Sequence, residues 1–366
     1  MRAAVLREVG KPLVIEDVEL EGPRAGEVRL RIAASGICGS DLSNANGTLR
    51  TPLPVVLGHE AAGEVLETGA GVDELARGDR VVVSLSPECG ECLFCLEGNP
   101  HFCVQMMPGM LHSTLVDGTT RLQAGGEAIY QLCGVGSFAE EAVVCARSCI
   151  PVPDDLPLER VCLLGCGVLT GAGAALNTAR VEPGMTIAVI GCGGVGLSAI
   201  QGARIAGAEK IIAIDIDPAK LDLARELGAS HAVDGREDVL AQVRAIEGLG
   251  VHAAIEAIGK TETIETAWAL LRPGGLAVAI GMPAARERVS LRVGGFFLEK
   301  RISGCVYGSA HAHRDIPRLM ELARSGELRL DPLVSEELPL ERVQDAMDSL
   351  ARGEGARHVI VNPARS

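Results

Sequence analysis

The sequence predicts an α/β protein, a β-rich portion interrupted by a doubly wound parallel sheet. Three observations carry that expectation. The chain has 366 residues, a length that suits two domains better than one. From residue 168 onward, apolar strands alternate with helical segments over ~140 residues, as right-handed crossovers between parallel strands require. Outside that stretch the apolar runs are short and punctuated by Gly and Pro, as in antiparallel sheets. The expected division is 1–167, continued by 308–366, for the β-rich domain, and 168–307 for the parallel one.

In chain order, residues 28–34 and 80–85 read as strands, with a turn-rich stretch at 36–65 between them. Residues 87–136 show little periodicity, which suggests lobes and loops on an antiparallel scaffold. A strand at 186–190 runs through a glycine-rich turn into a helix at 195–206 and a strand at 211–215. The helix at 220–227 is ended by Gly228. Strands at 253–257 and 276–280 flank a helix at 263–271, which Pro273-Gly274-Gly275 stops. Helices at 316–324 and 340–351 precede a last strand at 358–361. There is no internal repeat.

Lys plus Arg number 34 against 48 Asp plus Glu, a net charge of −14 that leaves no basic face for a nucleic-acid backbone. Five Phe, two Tyr and one Trp offer few platforms for stacked bases. Apolar residues, at 47%, supply an ordinary core. No apolar run reaches the ~18 residues of a membrane span. The opening MRAAVLREVGKPLVIEDVEL carries acidic residues and turn formers where an export signal has an apolar core, so a cytoplasmic protein is expected. Twelve cysteines in a reducing compartment point to metal binding or catalysis rather than disulfides.

Gly191-Cys192-Gly193-Gly194-Val195-Gly196 follows a strand and opens a helix. In that setting Gly191 permits a tight turn, Gly193 and Gly194 let backbone amides approach a pyrophosphate, and Gly196 lets the helix pack on the sheet. The helix N-terminus adds free N–H groups and the positive end of its dipole. Asp215, at the end of the next strand, is placed to accept both ribose hydroxyls. A 2′-phosphate there meets a negative charge, the bulky Ile216 and no adjacent arginine, so NAD is favoured over NADP. The plain alternatives are a structural glycine turn and a solvated carboxylate.

Cys89, Cys92, Cys95 and Cys103 are spaced C-x2-C-x2-C-x7-C, four thiolates on a turn-rich loop that suit a closed, structural zinc site. An iron–sulfur cluster is the rival occupant, and chance clustering of core cysteines the plain alternative. A second set is dispersed: Cys38, His59, Glu60 and Cys166. Two thiolates and an imidazole leave zinc a fourth position for water or substrate, although single Cys and His residues usually sit in cores. Asp41 is placed to hold the other nitrogen of His59 and fix its tautomer. The remaining cysteines read as small buried hydrophobes.

Together these stretches resemble the zinc-dependent medium-chain alcohol dehydrogenases. The likeness is carried by GICGSD (36–41), GHEAAGEVLETGAGV (58–72), CGECLFC…C (89–103), LLGCGVLTGAGAALNTA (163–179) and AVIGCGGVGLSAIQGARIAGAEKIIAIDID (188–217). It runs nearly end to end, and the segment after Cys103 is similar to the liver-type and glutathione-dependent formaldehyde dehydrogenase (class III-like) branch. The resemblance implies a GroES-like catalytic domain interrupted by a Rossmann domain, two zinc ions per chain, and NAD. It implies Cys38, His59 and Cys166 as catalytic zinc ligands, Glu60 as a nearby or alternate ligand, and Ser40 as the hydroxyl that hydrogen-bonds the substrate oxygen. Thr170 and Val195 would back the nicotinamide, with Ile280, Met282, Cys305 and Tyr307 along the cofactor. Lys220 would lie near the adenosine ribose and Arg357 at the pyrophosphate. Leu49, Leu85, Leu132, Cys133, Met282 and Val306 would line the substrate channel, core packing being the plain alternative for each.

Three departures qualify the match. Gly39 stands where the family often has a pyrophosphate-binding Arg or His, and Ser43 where it has a relay histidine. The segment after Cys103 lacks the anion-binding arginine of the glutathione-dependent relatives. The implied activity is zinc- and NAD-dependent, reversible hydride transfer between a hydrophobic primary alcohol and its aldehyde. Oxidation of a formaldehyde–thiol adduct is the alternative, and a non-catalytic zinc- and dinucleotide-binding sensor or structural protein the alternative of another class. Neither a nucleic acid nor a membrane is expected as partner. Residues 292–308, with Phe296 and Phe297 beside a strand at 302–307, are expected to join a homodimer, a tetramer being the alternative. Both rings packing beneath their own sheet is the plain reading.

Overall fold

A computed structural model describes residues 1–363, which fall into two units. The first takes residues 1–166, 311–325 and 334 onward; the second takes 167–310 and 326–333. Residues 326–333, expected in the C-terminal return, pack instead with the second unit. Leu328, Leu330 and Leu333 are buried, and Gln201 exchanges two hydrogen bonds with the backbone of Arg329, at 3.0 and 2.7 Å.

In the first unit the strand Glu27–Gly36 is the spine. Val28, Leu30, Ile32 and Ala34 point inward while Arg29 and Arg31 alternate outward, the period of two that a half-buried strand requires. Those arginines pair across the sheet with Glu141 and Glu64. Three strands bond antiparallel to the spine: Glu60–Thr68, Glu141–Cys145 and Arg357–Val361. A second, six-stranded sheet packs an apolar cluster of Leu6, Val56, Leu57, Ile129 and Phe138 with Leu338, Val343 and Met347.

The stretch 36–65 holds more regular structure than its turn formers suggested. It contains the helix Gly39–Ala45 and begins the strand Glu60–Thr68. The helix is capped by residues that also serve the site, and the strand is recruited by its pairing with the spine; neither shows as periodicity in the sequence.

The second unit is a six-stranded parallel sheet in the order His231–Asp234, Lys210–Asp215, Thr186–Ile190, Val251–Glu256, Leu271–Ala279, Arg301–Gly304. Strand order reverses at Thr186–Ile190, which opens a crevice at the carboxyl ends of the strands. Ala188, Ile190, Ile212, Ile214, Val233 and Trp268 form its core. The helices Gly194–Ile205, Pro218–Glu226 and Thr261–Leu270 lie within two residues of their expected bounds. The strand expected at 302–307 stops at Gly304, because Tyr307 turns the chain with a φ of 53°. Among the described residues no single helix is long and apolar enough to cross a membrane.

Candidate metal and cofactor sites

Strand register gathers the dispersed ligand set. Gly36 pairs with Glu60 on one side and Val359 on the other, so Cys38, His59, Glu60 and Arg357 emerge at one end of one sheet. Cys166 follows the turn Cys162–Gly165, which is seated on the strand Arg80–Val83. A Cβ at Gly165 would lie 2.4 Å from the Val83 carbonyl oxygen, so only glycine lets the turn sit this close. One donor atom each from Cys38, His59, Glu60 and Cys166 lies within 4.8 Å of all the others.

Cys38 is the N-cap of the helix Gly39–Ala45, and Asp41 at its third position reaches back to accept from the Cys38 amide at 2.9 Å. The same carboxylate accepts from Gly58 N at 2.9 Å and lies 3.1 Å from His59 Nδ1. Asp41 is fully buried. As an acceptor it puts the ring proton on Nδ1, so a neutral His59 turns the Nε2 lone pair toward the ligand set. Ser40 Oγ sits 3.3 Å from Cys38 Sγ and 3.2 Å from His59 Nε2. Asn44 steadies it by donating to the Ser40 carbonyl at 2.7 Å. Sequence reasoning placed Asp41 on His59 and missed its bonds to Cys38 and Gly58. The signal was an acid three residues after a potential cap, obscured because cysteine is an unusual cap.

The buried Arg357 guanidinium lies 3.4 Å from Glu60 and 3.9 Å from Cys38 Sγ. Cys38 is held well below the ordinary thiol range, because Cys166 donates to its sulfur and Arg357 adds positive charge against the burial penalty. Cys166 rises correspondingly. Burial is the largest single influence on His59 and opposes the charged ring, yet its pKa is raised because the Asp41 carboxylate and the Cys166 sulfur together outweigh it. Burial pushes Glu60 up to about 7 against the pull of Arg357. Two thiols sharing one proton, ringed by carboxylates, make an electron-rich set of nitrogen and sulfur donors that a zinc ion fits. Arg357, expected at a pyrophosphate, has its contacts within this set.

Cys89, Cys92, Cys95 and Cys103 also converge within 4.8 Å. The Sγ separations are 3.8 Å for Cys89–Cys95 and 3.9 Å for Cys92–Cys103. Four sulfurs at zinc's usual bond length of ~2.3 Å in a tetrahedron stand about 3.8 Å apart. That spacing fits a single small ion; an iron–sulfur cluster would spread the thiolates. Cys92 is lowered to about 6, chiefly by the backbone amide of Cys95, while burial lifts Cys95 to about 12. Arg147, which sequence reasoning passed over, ties the loop to the β-rich unit through the carbonyls of Cys89 at 2.6 Å and Glu88 at 3.3 Å. A neighbouring groove of about 910 Å³, lined in part by Arg24, Glu88, Met106 and Arg147, contains none of the catalytic ligand set.

In the second unit, Gly191 turns with a φ of +93°, and a Cβ at Gly196 would lie 1.7 Å from the Gly191 carbonyl oxygen. The tight turn and the close seating of the helix on the strand both therefore require glycine. Asp215 accepts from Cys192 N at 2.7 Å and Asp217 N at 2.9 Å, one bond to each oxygen, which leaves acceptor capacity for hydroxyls. Lys220 is half-buried on the following helix. The helix Gly167–Gly173, which carries Thr170, packs on Val195 at the neighbouring Gly171, where a Cβ would lie 2.1 Å from the Val195 carbonyl oxygen. Gly308 packs on the same helix, next to Tyr307, and Cys305 bonds back to Ala279 at 2.9 Å, beside Ile280. Ile258, not singled out from the sequence, is 44% exposed at the crevice beside Gly191, and Ile216 is exposed just past the end of the strand Lys210–Asp215. Their apolar faces suit a planar ring.

The expected channel residues divide between the units. Leu85 and Leu132 are buried in the first, Leu132 within the core cluster, and Leu49 and Cys133 are half-buried. Met282 and Val306 are exposed in the second unit.

Two family models match the chain: an alcohol dehydrogenase GroES-like domain over residues 24–154, and a zinc-binding dehydrogenase over residues 194–325. The chain is 38% identical over 364 residues to an S-(hydroxymethyl)glutathione dehydrogenase from a Synechocystis species, covering 98% of this chain and 99% of that one. Among solved structures it is similar to an alcohol dehydrogenase zinc-binding domain protein from Burkholderia ambifaria, with a TM-score of 0.94, 37% identity and 99% and 98% coverage. A benzyl alcohol dehydrogenase from Acinetobacter calcoaceticus matches with a TM-score of 0.93, 31% identity and 99% of both chains covered.

Proposed function

The chain belongs to the zinc-dependent medium-chain alcohol dehydrogenase family, and on that premise we propose that it carries out reversible, NAD-linked oxidation of a hydrophobic primary alcohol to its aldehyde. The observation that carries this reading is the open set Cys38, His59 and Cys166, with Glu60 close by and the Ser40 hydroxyl against it. When bound, zinc supplies Lewis acidity that favours loss of the alcohol proton, and NAD supplies the hydride acceptor. Cys38, His59 and Cys166 hold the ion, and Asp41 orients His59. Ser40 relays the proton, its Oγ accepting the substrate's hydroxyl proton as its own hydroxyl proton leaves toward water, since no serine, Ser43 included, is a base near neutral pH. Cys89, Cys92, Cys95 and Cys103 hold a second, structural zinc.

The domain roles follow: the first unit binds substrate and the second binds NAD. Gly191, Gly193, Gly194 and Gly196 receive the pyrophosphate, Asp215 and Lys220 the adenosine ribose, and Thr170 and Val195 the nicotinamide. In the first unit, the aliphatic Leu49, Leu85 and Leu132, with Cys133, favour an uncharged substrate. Twelve free thiols suit a cytoplasmic protein. A homodimer formed through the Arg301–Gly304 edge completes the reading. NADH absorbance over a panel of alcohols, with NAD and with NADP, tests it; no turnover with any alcohol would sink it.

The Synechocystis relative favours one second reading, oxidation of a formaldehyde–thiol adduct. Residues 104–114 contain no arginine to hold an anionic carrier. Activity confined to formaldehyde plus a low-molecular-weight thiol would select it.

A further inference from the structure

We propose that Glu256 is a positioning residue of the dinucleotide crevice, setting the place of the loop 257–259 and, through it, of the segment 280–282. The proposal rests on reading the second unit as the NAD-binding domain. Glu256 ends the strand Val251–Glu256, at the reversal of strand order, and is fully buried. Removing a carboxylate from water is costly unless it is well bonded. Its Oε1 accepts from Ile258 N at 2.9 Å, Gly259 N at 2.8 Å and Thr263 Oγ1 at 2.7 Å. Its Oε2 has no hydrogen-bond partner among the described residues. One oxygen gathers every donor and draws the loop in over the end of the strand. An apolar side chain would fill this position without the cost, so the contribution of the acid lies in what it holds.

What it holds are two walls of the crevice. Ile258 lies against the glycine turn, its Cγ1 2.5 Å from where a Cβ on Gly191 would be. Gly259 packs backbone to backbone on the next loop: a Cβ at Gly281 would lie 2.0 Å from Gly259 N, and one at Gly259 would lie 2.7 Å from Met282 N. The Glu256 carbonyl accepts from Ile280 N at 2.9 Å and Gly281 N at 3.2 Å. The side chain of Glu256 therefore fixes one loop and its backbone the other. With the carboxylate gone, residues 257–259 lose two anchors, the tie to Thr263 on the next helix is lost as well, and the slot beside Gly191 loses its set width.

The test uses the zinc-loaded, full-length enzyme and NADH as probe, read by fluorescence titration. Parent affinity is measured first, because a parent that does not bind NADH overturns both this proposal and the reading beneath it. Glu256→Ala is expected to raise the NADH dissociation constant and the KM for NAD about tenfold, with kcat at saturating NAD within about threefold of the parent. Zinc content should stay at the parent's level. Glu256→Gln, which keeps a carbonyl oxygen for the same three donors, should restore affinity to within about threefold. Thr263→Val, which removes one donor from a half-exposed helix, should weaken NADH about threefold and decides the matter if the alanine variant fails to fold. Ile255→Val, a core truncation in the same strand, serves as the control. NADH affinity unchanged in the folded variants would overturn the proposal. So would an equal loss in the Ile255 control, which would make Glu256 structural only.

Discussion

Asp41 answers three donors with one carboxylate, so its loss is felt by two of the three segments that bring ligands to the catalytic set. Asp41→Ala should lower affinity for the catalytic zinc, and turnover with it, by about 10–100-fold. Elemental analysis should show zinc falling from two ions per chain toward one while circular dichroism stays near that of the parent. Two full equivalents in an inactive variant would limit Asp41 to orienting the ring. Asp117 makes a different statement. Burial pulls its carboxyl upward, yet Arg121 and Thr119 hold it at about 2. A carboxyl depressed in the fold stabilises fully above its unfolded value of 3.8, and the contribution is lost as pH falls through 2. Its side chain is 40% exposed, so screening limits the contribution to about 1 kcal/mol. Asp117→Asn should lower Tm at neutral pH by a few degrees and flatten the acid limb of a Tm–pH curve; an unchanged limb would count against the assignment. At this scale the sequence disclosed identities better than partners. Cys38, His59 and Cys166 were legible as zinc chemistry, whereas the burial of Arg357 against Glu60 depends on strand register, which no spacing along the chain records.

Most of the parallel strands and their helices were legible because each carries a period and a stop, as where Gly228 follows the helix Pro218–Glu226, but the short edge strand His231–Asp234 and the helix Val239–Ile246 were not read. The helix Gly39–Ala45 and the strand Glu60–Thr68 were not: one starts from a cysteine cap, and the other is buried on both faces over its first four residues. The four-cysteine loop is an element in its own right, with Leu93 and Leu96 exposed and little apolar core of its own. Its order comes from its ion and from Arg147. Cys103→Ser should cost this loop its zinc and several degrees of Tm while the catalytic ion is retained. Cys38→Ser should do the reverse, abolishing turnover with a smaller change in Tm. Scanning calorimetry with metal analysis on both variants separates them, and equal Tm losses would show that the two sites are not independent.

At the scale of the whole molecule, the Arg301–Gly304 strand leaves one edge of the parallel sheet unpaired among the described residues. Beside it Phe297 is 86% exposed, together with Val293 and Leu298. Phe296 rests on Trp268 at a centroid distance of 4.8 Å, so packing beneath its own sheet accounts for part of Phe296 and none of Phe297. Apolar surface of this kind beside a free sheet edge suits a two-fold partner. Phe297→Asp should convert a dimer to a monomer in light scattering at micromolar concentration; a monomeric parent would sink the idea. The spine strand Glu27–Gly36 has a further consequence, which belongs to biosynthesis. Cys89 to Cys103 close a short loop, whereas Cys38 and Cys166 enclose one about three doublings longer, at roughly 2 kcal/mol more in closure entropy. The Arg357–Val361 strand that completes that end of the sheet leaves the ribosome after all of these cysteines. On these grounds the chain should acquire its structural ion early and its catalytic ion late, so that a half-made protein folds around metal before it is able to turn over an alcohol.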